Sequence, residues 1–351
     1  MRIAIVNDLA LAVTSIRRVL EHDGRHSVAW IARDGLDALA RFEADRPDLL
    51  LLDLVMPQLD GVQTTRRVME QFPCPILIVT ASINQRAGMV YEAMGYGALD
   101  AANVPVMTLP PEESGRELLQ KIATLERLQG RRRAPEPSSS QPSSQSPAST
   151  RGRGPTPMAE LPPTRRTPLI AIGSSTGGPK TLASILSTIP AGQPTAFVVI
   201  QHIDAQFAPG LVSWLNGQIP MPVIAAKPGQ APVAGTVCLS ATNDHLVLEA
   251  NGRFAHVAEP KDEPYRPSVD VFFQSLVRHW RPPGQAVLLT GMGRDGAIGL
   301  LALRQAGWRT IAQDEASSVV YGMPKAAAEL NAAMEILPAD AIGPSLLTPR
   351  R

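Results

Sequence analysis

Short apolar runs separated by amphipathic stretches recur along the first third of the chain. Residues 2–6, 27–31, 49–52, 75–79 and 98–101 have strand character, and the third of these is an unbroken Leu49-Leu50-Leu51-Leu52. Continuous apolar runs of this kind predict strands covered on both faces, hence βα units on a parallel sheet. Leu118, Leu119, Ile122, Leu125 and Leu128 recur at helical spacing and predict a helix over residues 114–128. The pattern then stops. Between Arg131 and Pro168 the chain is crowded with Pro, Ser and Arg, and Met158 and Leu161 are its large apolar residues. Such a stretch cannot bury enough surface to offset the entropy of ordering, which predicts a disordered linker over residues 130–167. Alternation resumes at residues 169–172, 196–200, 286–290 and 310–313. The whole pattern predicts two doubly wound parallel-sheet α/β domains, residues 1–129 and 168–346.

Composition narrows this picture without redirecting it. The chain has 351 residues and a formal net charge of +1, so charge gives no reason to expect nucleic-acid binding. The arginines of the linker could touch an acidic partner, but a solvated tether is the better account of them. Cys74 and Cys238 lie far apart and suggest no disulfide framework. No apolar run approaches the roughly 18 residues needed to span a bilayer, and the start is too short in apolar residues for a secretion signal. These features lead to the expectation of a cytoplasmic protein with no direct membrane insertion.

The candidate chemistry of the second half begins where the 169–172 strand ends. Gly173-Ser174-Ser175-Thr176-Gly177 fits the G-x-S-x-G pattern of a nucleophile on a tight strand-to-helix turn. A Gly/Ser turn before a helix can also cradle a phosphate or simply turn the chain. A dinucleotide site is the chief rival, but it wants G-x-G-x-x-G and an acid after the next strand, where Gln201-His202 stands instead. A nucleophilic serine needs a base and an orienting acid. Of the six histidines, His22, His26, His202, His245, His256 and His279, His202 ends the strand expected beside the Ser175 strand. The acid candidate is Asp295, in the glycine-rich loop Gly291-Met292-Gly293-Arg294-Asp295-Gly296 after a third apolar strand. A packed histidine and an ordinary turn aspartate are the plain alternatives for each residue alone.

In the first half, Asn7 and Asp8 follow the first strand and Asp53 follows Leu52. Open parallel sheets bind ligands beyond the carboxyl ends of their strands, and carboxylates gathered there suit a hard cation such as Mg²⁺. They could equally be helix caps. Asp53-Leu54-Val55-Met56-Pro57, Asp60-Gly61, Thr80-Ala81 and Gly97-Ala98-Leu99-Asp100, in that order, resemble a two-component receiver domain. The resemblance implies a flavodoxin-like fold and transfer of a phosphoryl group from a histidine kinase to Asp53. It also implies Mg²⁺ held by Asp8, Asp53 and the Val55 carbonyl with Asn7 nearby, and Thr80 as the switch. Three positions depart from the receiver pattern. The first acid is Asn7, Val104 stands where a phosphate-pairing lysine is usual, and Ala101 replaces the aromatic switch residue.

Ile172-Gly173-Ser174-Ser175-Thr176-Gly177-Gly178, Gln201-His202, Arg266-Pro267-Ser268-Val269-Asp270, Leu289-Thr290-Gly291-Met292-Gly293-Arg294-Asp295-Gly296 and Gln313-Asp314-Glu315-Ala316-Ser317 followed by Gly322-Met323-Pro324 resemble the CheB chemoreceptor methylesterases. That resemblance implies a Rossmann-like catalytic domain hydrolysing glutamyl methyl esters on receptor helices and often deamidating receptor glutamines. Ser175, His202 and Asp295 would be its catalytic residues. Met292 N–H would be an oxyanion donor, Thr176 would support the site, and no cofactor would be needed for the esterase. The first-half motifs together with Val104 are further similar to the methylesterases of Wsp-type surface-sensing pathways. The contrasting expectation is a regulatory module that docks without turnover.

Overall fold

The computed structural model describes residues 1–81, 86–133, 167–281 and 284–347, so most of the expected linker lies outside the described residues. The first unit runs β1 (Arg2–Val6), α1 (Ala10–Asp23), β2 (Ser27–Ala32), α2 (Gly35–Ala44), β3 (Leu49–Leu52), α3 (Gly61–Gln71), β4 (Ile76–Thr80), α4 (Ala87–Tyr96), β5 (Asp100–Asn103), α5 (Pro111–Ser114) and α6 (Arg116–Arg133). Its sheet has the order β2-β1-β3-β4-β5, and every pairing is parallel. Successive strand residues point to opposite faces, and here both faces are covered. Ala4, Val6, Leu50, Leu52, Ile76 and Ile78 pack with Phe42 and Val68 on one side. Ile3, Ile5, Leu49, Leu51, Leu77 and Val79 pack with Ile16, Leu118 and Ile122 on the other.

The second unit runs β6 (Leu169–Ser174), α7 (Gly178–Ser187), β7 (Ala196–Gln201), α8 (Ala208–Asn216), β8 (Val223–Ala225), β9 (Val237–Leu239), β10 (His245–Leu248), β11 (Phe254–Val257), α9 (Val269–His279), β12 (Gln285–Leu288), α10 (Ala297–Gln305), β13 (Arg309–Gln313), α11 (Met323–Glu329), β14 (Glu335–Leu337) and α12 (Ala339–Leu346). Seven strands form a parallel sheet in the order β14-β13-β12-β6-β7-β9-β8, and β10 and β11 form a separate hairpin. From β6 the chain moves to β7 on one side and returns at β12 on the other. The reversal puts a switch point, the usual ligand crevice of such sheets, at the carboxyl end of β6.

Several elements differ from the sequence expectation for local reasons. Strand β5 starts at Asp100 rather than at residue 98, because Ala98 N–H still closes the end of α4 on Ala93 O (3.0 Å). The expected helix over 114–128 is split, with Ser114 ending the short α5 and α6 continuing to Arg133. That end is built from good helix formers, Leu, Glu, Gln and Arg. β8, β9 and β14 have three residues each, too few to show a period.

The two units touch through α4 and α8. Tyr91 Oη donates to Phe207 O (3.1 Å), and its ring lies 6.1 Å from that of Trp214. A Cβ on Gly210 would stand 2.1 Å from Ala87 Cβ, so α8 approaches α4 at a glycine. No helix among the described residues is long and apolar enough to cross a membrane.

Candidate active site

Ser175 sits just past the end of β6, held by its backbone. Its N–H donates to Thr290 O (3.0 Å), and its carbonyl accepts from Gly178 N–H (2.7 Å) and Gln201 Nε2 (2.9 Å). Gln201 Oε1 in turn accepts from Ser174 Oγ (2.7 Å), tying the ends of β6 and β7 together. The turn into α7 needs Gly177 at φ +79°, a left-handed conformation that a side chain would strain. Gly291 makes a close approach from the β12 side. A Cβ there would stand 2.7 Å from Ser175 Cβ and 2.2 Å from Met323 Sδ. Gly291→Ala is therefore expected to push Ser175 off line and lower kcat by about 10²-fold, the scale of an ångström misplacement. A full activity at unchanged thermal stability would show that the turn yields freely.

His202 follows β7, which pairs with β6 in parallel, and its N–H bonds back to Ser174 O (3.0 Å). Its Nε2 lies 2.7 Å from Asp295 Oδ2. Asp295 is an acceptor only when ionised, so Nε2 carries the proton and Nδ1 is the basic nitrogen. Nδ1 is buried and has no hydrogen-bond partner among the described residues. Ser175, Thr176, His202, Tyr265 and Arg266 line one cavity of about 620 Å³, to which Tyr91 of α4 and Lys121 of α6 contribute from the first unit. The structure thus brings Ser175, His202 and Asp295 to one rim of the second sheet. Met292 is half-buried between Gly291 and Asp295, and the Thr176 carbonyl accepts from Thr290 Oγ1 (3.0 Å).

Asp295 receives a set of donors from the start of α9. Ser268 Oγ (2.8 Å) and Asp270 N–H (3.0 Å) reach Oδ1, while Val269 N–H (2.7 Å) shares Oδ2 with His202. Burial alone would raise its pKa, but His202 and these amides outweigh it and hold the carboxyl below its usual range. A depressed pKa gives stability that is present above the unfolded value, about 3.9, and is lost only as pH falls below it. Its neighbour Asp270 goes the other way. Burial, and then the charge of Asp295 against the help of the Gly299 N–H, pushes it up to about 6. The folded chain therefore binds more protons there than the unfolded chain between about pH 4 and 6, and stability falls as pH rises through that window. Asp270→Asn should remove this decline, a difference on the order of 2 to 3 kcal/mol at neutral pH, read from urea unfolding at about pH 4.5 and 7.5. Parallel pH dependence in both proteins would contradict it.

At the rim of the first sheet, Asp53 is buried, with Oδ1 accepting from Leu54 N–H (2.7 Å) and Oδ2 from Asn7 Nδ2 (3.2 Å). Burial raises its pKa, opposed by the Leu54 amide, the Thr80 hydroxyl and the charge of Arg86. Thr80 Oγ1 is buried and makes no geometrically complete hydrogen bond among the described residues. Asp8 is exposed at the same edge. Two carboxylates and the Val55 carbonyl have the right chemistry for Mg²⁺. Asn7 fits less well, because its Oδ1 is taken by Leu9 N–H (2.8 Å) and it turns its NH₂ to Asp53. No group of three His, Cys, Asp or Glu among the described residues could hold a metal.

Sequence reasoning missed four contributors. Ser268 and the α9 amides were visible as part of a motif but carried no sign of which group they serve. Tyr265 stacks on His202, and His245, fully buried, accepts Ser268 N–H at Nδ1 (3.1 Å) behind Asp295. Arg86, at the start of α4, is the cation acting on Asp53. Chemically, the second rim gathers a serine hydroxyl, an imidazole and a fixed carboxylate, a set suited to acyl transfer.

A family model described as CheB methylesterase matches residues 170–346, and one described as response regulator receiver domain matches residues 3–105. The chain is 48% identical over 349 residues to a protein-glutamate methylesterase/protein-glutamine glutaminase 2 of Cupriavidus metallidurans, covering 99% of this chain and 98% of that one. It is 47% identical over 348 residues to the corresponding protein 1 of Bordetella avium, covering 99% and 96%. Among solved structures, the catalytic domain of Thermotoga maritima CheB methylesterase is similar with a TM-score of 0.50 and 34% identity, covering 52% of this chain and 97% of that one.

Proposed function

Since the chain belongs to the CheB methylesterase family and carries a receiver domain, we propose that it hydrolyses glutamyl methyl esters on the cytoplasmic helices of chemoreceptors. The same site would deamidate receptor glutamines, as the names of its relatives suggest. The observation that carries this reading is the 2.7 Å pair between His202 and Asp295 at the cavity rim that also holds Ser175. In this mechanism His202 Nδ1 takes the Ser175 proton as Oγ attacks the ester carbonyl. Asp295 holds the tautomer and stabilises the imidazolium. Met292 N–H and amides of the Thr176 turn face the developing oxyanion, a term worth on the order of 3 kcal/mol per donor. The imidazolium returns its proton to the leaving methoxide, giving methanol, and water then attacks the acyl-serine through the same base. With a glutamine the leaving group is ammonia.

Residues 1–129 would act as the receiver, residues 168–346 as the esterase and residues 130–167 as the tether. Asp53 would accept a phosphoryl group from the histidine kinase of the same pathway. Mg²⁺, held by Asp8, Asp53 and the Val55 carbonyl, would neutralise charge on the phosphoryl group. Thr80 Oγ1, which acts on the Asp53 carboxylate, would donate to a phosphoryl oxygen, and the positive charge of Arg86 would offset part of the loss of the usual lysine at Val104. The contacts of Tyr91 on α8 place α4 next to the site entrance, which supports inhibition by the unphosphorylated receiver. The pathway would be a chemotaxis-like or Wsp-type surface-sensing one, in the cytoplasm and without nucleic acid.

The test is methanol release from methyl-labelled receptor, with and without a phosphodonor. Release that rises with phosphodonor, and no longer rises in Asp53→Ala, is expected. A protein that binds receptor with no methanol and no ammonia would instead be the docking module.

A further inference from the structure

We infer that Tyr265 is a positioning residue for the base: its ring holds the His202 imidazole in line and stabilises that ring when it carries the Ser175 proton. The inference deepens the reading of His202 as the base and rests on it. The two rings lie 4.4 Å apart between centroids and are nearly parallel, at 4°. Stacking fixes the tilt of the imidazole, while the Asp295 bond at Nε2 fixes its rotation. Together they leave Nδ1 as the ring nitrogen without a hydrogen-bond partner among the described residues.

The position of Tyr265 in the chain strengthens the case. The loop that carries it continues through Ser268 to the first amides of α9, and those groups grip Asp295. One short segment therefore sets both members of the pair, the imidazole by its face and the carboxylate by hydrogen bonds. The far end of Tyr265 is also seated. A Cβ on Gly293 would stand 2.6 Å from Tyr265 Oη, so the loop before Asp295 closes over the hydroxyl. Burial and the Asp295 charge both push the phenol pKa up, so the ring stays neutral. A neutral aromatic face favours a cation in a site with little water, so it helps the protonated imidazole more than the neutral one. The serine proton arrives at a ring already oriented and already favoured as a cation.

The other charged groups around His202 are Asp295 and, behind it, Asp270 from α9, Asp204 two residues further along its own segment, Arg266 from the Tyr265 loop, and Asp100, Glu117 and Lys121 across the cavity from the first unit. All of them remain when Tyr265 is changed, so the variants isolate the ring.

The experiment compares full-length wild type, Tyr265→Phe and Tyr265→Leu, with Tyr265→Met as a second ring-less form should Tyr265→Leu not fold. Methanol release from methylated receptor gives kcat and KM across about pH 5 to 9, and NMR follows the His202 ring protons over the same range. Tyr265→Leu should lower kcat about tenfold with KM unchanged. The acid limb of its kcat profile and the His202 titration should both move to lower pH. Tyr265→Phe keeps the ring and should match wild type in all of these. A leucine variant with wild-type kcat and His202 titration would overturn the role. So would equal impairment of Phe and Leu, which assigns the effect to the hydroxyl, or a raised KM at constant kcat, which makes Tyr265 a substrate contact. If wild type released no methanol, the esterase reading would fail, while the His202 titration would still decide whether the ring favours the cation.

Discussion

Ser175→Ala should lower kcat for ester hydrolysis by about 10⁶-fold, the scale seen when the nucleophile of such a triad is removed alone. The size follows from how the site is built. Every described hydrogen bond of Ser175 runs through its backbone, to Thr290, Gly178 and Gln201. Alanine retains all of them, so the turn and the cavity survive and stability should change by no more than about 0.5 kcal/mol. What disappears is the proposed nucleophile, and the proposed base, His202 Nδ1, is left with no proton to take. Residual turnover would come from backbone donors and bound geometry alone. Receptor binding should be unchanged, which separates lost chemistry from lost docking. A variant that still released methanol within a factor of ten of wild type would mean that another group attacks the ester.

The second large effect is at Asp295, where asparagine should cost about 10⁴-fold in kcat. The side chain keeps its shape, but its acceptors do not survive. Ser268 Oγ, Val269 N–H, Asp270 N–H and His202 Nε2 all converge on the two carboxylate oxygens. An amide offers one acceptor oxygen and an NH₂ group. If the oxygen stays with His202, the NH₂ meets the Ser268 and Asp270 donors. If it turns to the start of α9, the NH₂ faces His202 and forces the proton onto Nδ1, so the nitrogen proposed as the base has no lone pair left to take a proton. Either arrangement removes a negative charge from behind the imidazolium. Leaving buried donors unpaired should also lower stability by about 1 to 3 kcal/mol. Near-wild-type kcat in a folded Asp295→Asn protein would show that the carboxylate is not needed to hold the tautomer.

Much of this arrangement is legible in the chain because parallel sheets gather strand ends. Once residues 169–172, 196–200 and 286–290 read as buried strands, Ser175, His202 and Asp295 fall at one edge, and the structure places β7 and β12 on either side of β6. The Leu49–Leu52 run likewise puts Asp53 at the rim of the first sheet. What was not legible depends on contacts between segments with no shared period. Tyr265 reads as an ordinary aromatic in a polar loop until the loop folds over His202. His245 looks like any strand histidine, and its bond to Ser268 exists only after the β10–β11 hairpin packs beneath α9. Arg86 lies outside any receiver motif, so its action on Asp53 follows from where α4 begins. Asn7 was expected beside the metal, yet its amide oxygen is committed to Leu9 N–H, a local bond that spacing cannot reveal.

The most direct test of the central claim is reaction of the phosphodonor-treated protein with a fluorophosphonate, followed by peptide mapping. Activation of one serine by the His202–Asp295 pair predicts a single adduct on Ser175 in wild type, and its loss in His202→Ala with the fold intact. An adduct that forms equally well without His202, or on a different serine, would contradict it.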